Sequence, residues 1–181
     1  MTIHIVILLI IIILFTIGYI YLTTYNKYQD YIIRINEVES KIDDNLRDKF
    51  DIILKLNSNI KEKIKTKKEL VDDLSNLKDE KISSFDMDRK LIDAMNKVNF
   101  VKDNYQELDA DKEVAKLLYN IEDIDESLKA CKKYYNETIT EYNKLIRKIP
   151  YNIIGKIFKY SEKTFFDGKD MTDDDINDFK I

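Results

Sequence analysis

A chain of 181 residues with 30 Lys and Arg against 34 Asp and Glu carries a net charge of −4, so it lacks the basic surplus that neutralises nucleic-acid phosphates. One histidine and one cysteine leave no His/Cys metal cluster, no Ser/His/Asp set and no intramolecular disulfide, the last in keeping with a reducing compartment. The 3 glycines stand at 18, 155 and 168 and the 1 proline at 150, so nothing from Tyr19 to Ile149 breaks a helix; sheet folds, whose tight turns commonly use those residues, are excluded in favour of an all-α chain.

The first element is Ile3 to Leu22, IHIVILLIIIILFTIGYIYL, with no charged side chain in 20 residues and 15 of them Ile, Leu, Val or Phe. As a helix it reaches about 30 Å, the thickness of a bilayer's hydrocarbon core. Ile3, Leu8, Ile12, Phe15, Tyr19 and Leu22 mark it as a transmembrane anchor, and Tyr19, Tyr21 and Tyr25 suit the headgroup region. A cleaved signal peptide would need a basic start and a small-residue cleavage site, and neither is present. No Lys or Arg precedes the span, whereas Lys27, Arg34 and Lys41 follow it, which predicts an outside N-terminus and a cytoplasmic C-terminal side in the cell membrane. The organisation that follows is an anchor over 1–24, a helical bundle over 25–166 and an acidic tail over 167–181.

Beyond the span, Ile35, Val38, Ile42, Leu46, Lys49, Ile53, Leu56, Ile60 and Ile64 recur every 3 or 4 residues, the stripe of a long helix that only Lys49 breaks. Asn36, Glu39, Asp43, Arg47 and Lys61 occupy the other face. Thr66 to Glu69 has capping-box spacing and sets the first turn near 65, with a turn near 84 as the alternative. A second helix carries Leu70, Leu74 and Leu77, is open to interruption at Ser83 to Asp86, and resumes with Leu91, Met95, Val98 and Val101. Asp109 is the expected cap of a third helix from about Ala110 to Ile149. Its seam is Val114, Leu117 or Leu118, Ile121, Ile124, Leu128, Cys131, Tyr135, Ile139, Tyr142, Ile146 and Ile149, and Pro150 ends it. A short amphipathic segment, Ile153, Ile154, Ile157 and Phe158, followed by Phe165 and Phe166, is expected to fold back over the bundle. The fold class is thus all-α, a single transmembrane helix followed by an antiparallel bundle of three long helices and one short.

The run from Cys131 to Pro150 resembles the LemA family of membrane-anchored helical proteins. Tyr135-Asn136, Tyr142-Asn143 and Pro150 match its register, while Cys131 stands for Ala, Lys132 for Arg and Ile149 for Phe. Tyr105, Leu108, Ala110, Ile121-Glu122, Leu128 and Phe165-Phe166 fit as well, with Gln106 replacing Pro. Nearer the span, Tyr25-Asn26, Ile42-Asp43, Leu46, Lys49 and Asp51-Ile52-Ile53 correspond, with Leu54 and Lys55 in place of Pro and Asn; residues 65 to 95 show no such correspondence. The resemblance implies an antiparallel helical bundle on a membrane anchor and no established reaction.

Tyr135 and Tyr142 lie two turns apart on one face, with Asn136 and Asn143 about 100° to its side. They form either a partner-binding ledge of phenol and amide groups or a set of ties between neighbouring helices. His4, inside the outer edge of the span, reads as an interfacial residue rather than a proton relay. Cys131, on the seam without a histidine, reads as core. Asp167, Asp170, Asp173, Asp174 and Asp175 lack the turn glycine and closing Glu of a calcium loop and read as a solvated tail. The expectation is therefore no enzyme, no cofactor, no metal and no small-molecule substrate. Partners are the bilayer and membrane or membrane-proximal proteins, with self-association among the options. A structural spacer or a ligand-responsive sensor built on the acidic tail are the alternatives.

Overall fold

The computed structural model describes residues 2–64, 82–105, 108 and 110–167. Among these there is no strand, and the helices are α1 Thr2–Lys63, α2 Ser84–Asn104, α3 Lys112–Arg147 and α4 Tyr151–Phe158. α1 is uninterrupted over 62 residues, about 90 Å, because no proline and only one glycine fall within it. Its hydroxyls in the apolar part turn back onto the helix, Thr16 donating to the Ile12 carbonyl at 2.8 Å and Thr23 to that of Tyr19 at 2.9 Å, so neither is left unpaired among apolar side chains. Compactness divides the chain into two units, Met1–Glu37 with Tyr135–Ile181 and Val38–Tyr134.

In the second unit the α1 stripe is buried from Val38 through Ile42, Leu46, Ile53 and Leu56 to Ile60, and so are Leu91, Ala94 and Val98 of α2 and Val114, Ile121 and Leu128 of α3. Lys49 pairs with Asp125 and Lys63 with Asp111, so moving up α1 is moving down α3 by the same number of residues, and these two helices run antiparallel. α2 opens at the far end of this pair, where Ser84 donates to Asp43 at 2.5 Å and Asp88 accepts from Lys132 at 2.6 Å. It closes a short connection away from Asp111, and so runs with α1 and against α3.

Several boundaries differ from the sequence reading. α1 stops at Lys63 and α2 starts at Ser84, so both candidate turns are helix boundaries. Ser83 caps α2 by accepting from the Asp86 amide at 3.1 Å. The capping box at Thr66, the leucines at 70, 74 and 77, and Asp109 lie outside the described residues. The carboxylate that caps α3 is that of Asp111, which accepts from the amides of Glu113 and Val114 at 2.9 and 3.0 Å. α3 ends at Arg147, and Ile149, expected on the seam, is 78% exposed because the last turn has already unwound before Pro150, which heads α4. Lys49 does not break the buried stripe: it is 2% exposed and reaches Asp125 at 2.5 Å. α4 folds back through Ile154 and Phe158, but Ile153 and Ile157 point outward, since an eight-residue helix has one inward face and Ile154 with Gly155 fills it.

Candidate functional site

The first unit is where the sequence-flagged residues gather. Its core is Tyr28 and Ile35 of α1, Ile139, Tyr142 and Leu145 of α3 and Ile154 of α4, with Tyr31, Tyr135, Tyr151, Phe158, Tyr160 and Phe165 packed around it. Tyr28 lies at its centre: its ring meets those of Tyr142 at 6.1 Å, Tyr151 at 6.5 Å and Tyr160 at 4.7 Å. Tyr28 extends the stripe of α1 backwards through Tyr25 and Tyr21 at helical steps, a signal that a pattern begun at Ile35 passes over. Gln29 adds a hydrogen bond to the Tyr160 hydroxyl at 2.9 Å.

Burial sets the electrostatics of this cluster. It pushes the Tyr142 phenol up to about 12, with Tyr28 and Tyr160 adding to the effect. Tyr28 is raised by burial and then by Tyr160, and Tyr160 by burial and then by Tyr25. These phenols therefore stay neutral to higher pH than a solvated tyrosine.

Of the predicted ledge, Tyr142 and Asn143 are fully buried and Tyr135 and Asn136 half-buried; Tyr142 packs edge-on against Tyr28 and Tyr31 of α1, whereas Tyr135, Asn136 and Asn143 face the segment from Tyr160 to Asp167. Asn143 clasps the backbone of one residue of that segment through both its polar groups: Nδ2 donates to the Lys163 carbonyl at 2.7 Å while Oδ1 accepts from the Lys163 amide at 2.9 Å. One heptad earlier, Asn136 Oδ1 accepts from the Phe166 amide at 2.9 Å, and the Tyr135 ring packs edge-on to Phe166 at 6.5 Å. Arg147 clamps Glu162 with two bonds of 2.7 Å, and that contact holds the Glu162 carboxyl below its usual range. The seven-residue spacing of the two Tyr-Asn pairs thus reads out as backbone recognition of an extended strap, supplied by the same chain.

The anchor residues Ile3, Leu8, Ile12, Phe15, Tyr19 and Leu22 lie along α1 and are exposed all round it. This is the one segment among the described residues long and apolar enough to cross a membrane. His4 is exposed near its start and Cys131 is half-buried on α3. Asp167 is exposed and the other tail carboxylates lie outside the described residues, among which no group of three or more His, Cys, Asp or Glu is placed to hold a metal. A recess of the second unit, lined by Leu54, Lys55, Ser58, Asn59, Glu113 and Leu117, opens broadly to solvent.

The model of the LemA family matches residues 38–177, more than half of the chain. This chain belongs to the LemA family. The matched region takes in both Tyr-Asn pairs, the α3 to α4 junction at Pro150 and the clasped strap, and begins where the α1 stripe enters the second unit. No curated protein and no solved structure matches the chain.

Proposed function

We propose that this LemA-family chain is a single-pass protein of the cell membrane that presents its helical bundle at the cytoplasmic face and acts there by binding other membrane or membrane-proximal proteins, without catalysis. The observation that carries this reading is the continuity of α1, which passes from an apolar, exposed segment into the buried stripe of the bundle without a break. Such a helix ties the bundle to the plane of the membrane, where confinement raises its effective concentration against other membrane components and a modest interface suffices. Neutral, buried phenols and a Tyr-Asn register already occupied by the strap support a non-catalytic role. Lys27, Arg34 and Lys41 after the span support the cytoplasmic orientation.

Proximity labelling from the C-terminus in cells tests the interaction role: reproducible membrane-protein neighbours are expected. Labelling that recovers no reproducible neighbour supports the second reading, a structural spacer, which the length of α1 beyond the span favours at about 60 Å. Removal of the tail by a protease added outside intact cells would overturn the orientation.

A further inference from the structure

α4 leaves two large apolar side chains in the open, Ile153 at 56% and Ile157 at 66% exposure. They are four residues apart and share one side of the helix, while Ile154 and Gly155 take the side toward Tyr28. The place of α4 along α1 is fixed by Phe158, whose ring lies 6.0 Å from Tyr21 and 5.4 Å from Tyr25. Tyr21 belongs to the last turn of the apolar span and Thr24, two residues beyond it, is already buried, so packing starts directly where the span stops. Ile157 adjoins Phe158, and Ile153 is one turn further back, at most about 6 Å deeper into the aqueous side whatever the tilt of α4. The headgroup layer on each side of a bilayer is roughly 5–7 Å thick, so both isoleucines fall within its reach. Charge points the same way: from Lys144 to Lys163 the chain carries 6 Lys and Arg against Glu162 alone, the composition that attracts anionic lipid next to a span.

We infer that α4 is a second membrane contact, an interfacial helix whose Ile153 and Ile157 enter the headgroup layer of an anionic bilayer beside the α1 span. The inference rests on the membrane anchoring proposed above. Its consequence is orientational: a single span leaves the bundle free to swivel and tilt, whereas a second contact beside it fixes which side of the first unit faces lipid.

The chain contains 0 tryptophans, so a single substitution introduces one reporter. The full-length protein carrying Ile157→Trp, Ile153→Trp, Leu14→Trp or Ile33→Trp is reconstituted into phosphatidylcholine and phosphatidylglycerol vesicles whose acyl chains are brominated either near the headgroup end or near the bilayer centre. Leu14 reports the span, and Ile33, 61% exposed and about 16 Å further along α1 than Leu22, reports water. Ile157→Trp and Ile153→Trp are expected to emit at shorter wavelength than Ile33→Trp and to lose a fraction of emission to the headgroup-end bromines comparable to that which Leu14→Trp loses to the central ones. Emission from residue 157 that matches Ile33→Trp overturns the inference, as does a blue shift without bromine quenching, the result expected if a second copy covers the face. Loss of quenching at Leu14→Trp would instead overturn the anchor itself.

Discussion

The Tyr28 hydroxyl occupies the space where a side chain at residue 155 would begin: a Cβ on Gly155 would stand 2.7 Å from Tyr28 Oη. Tyr28 is fully buried and donates to the Tyr151 carbonyl at 3.0 Å, so it cannot swing aside without giving up that bond. Gly155→Ala gains about 1 kcal/mol of helix propensity but meets an overpacking cost of about 1–3 kcal/mol, and a net loss is expected. Adding Tyr28→Phe removes the clashing oxygen, so the double variant should melt above the sum of the two single losses, a coupling read from a double-mutant cycle of thermal unfolding.

Asn143 makes two hydrogen bonds to Lys163 from a fully buried position, and Asn136 makes one to Phe166 from a half-buried one. Asn143→Ala should therefore cost about 2 kcal/mol, since it leaves the N–H and the C=O of Lys163 unpaired, and Asn136→Ala about half as much. Hydrogen exchange at the Lys163 amide separates this from a remote effect: it should accelerate in the first variant and change little in the second.

Lys49 is buried and its partner Asp125 is 48% exposed, so the two ends of this pair are not equivalent. Asp125→Ala strands an ammonium among apolar side chains and should cost about 1–2 kcal/mol, less than a fully buried pair because water reaches the carboxylate side. Lys49→Leu removes the buried charge and completes the stripe, and should be neutral or stabilising by up to about 1 kcal/mol. Chemical denaturation of the two variants decides it, and equal losses would contradict the asymmetry.

Alkaline pH should loosen the aromatic cluster. Folding raises the Tyr142 pKa from 10.0 to about 12, with Tyr28 and Tyr160 raised in the same direction. A group raised in the folded state contributes fully below its unfolded value, so the contribution is intact below about pH 10 and is lost as pH climbs through about 12. Phenolate absorbance followed together with circular dichroism should show the buried tyrosines ionising as helix is lost, and Tyr142→Phe should move that transition to higher pH.

Much of this architecture is legible in the residues alone. Absence of Gly and Pro from Tyr19 to Ile149 dictates helices, an apolar run of 20 residues dictates a segment that can cross a membrane, and steps of 3 and 4 from Ile35 to Ile60 name the buried face of α1, because each is a property of local spacing. Tertiary structure alone decided what those faces meet. It gave Lys49 a carboxylate 76 residues away, turned α2 to run with α1, and filled the Tyr-Asn register with the strap from Tyr160 to Asp167. Periodicity says which side of a helix avoids water, but the partner on that side is chosen by how distant segments share a limited space and pair their polar groups, a competition that no local window of sequence contains.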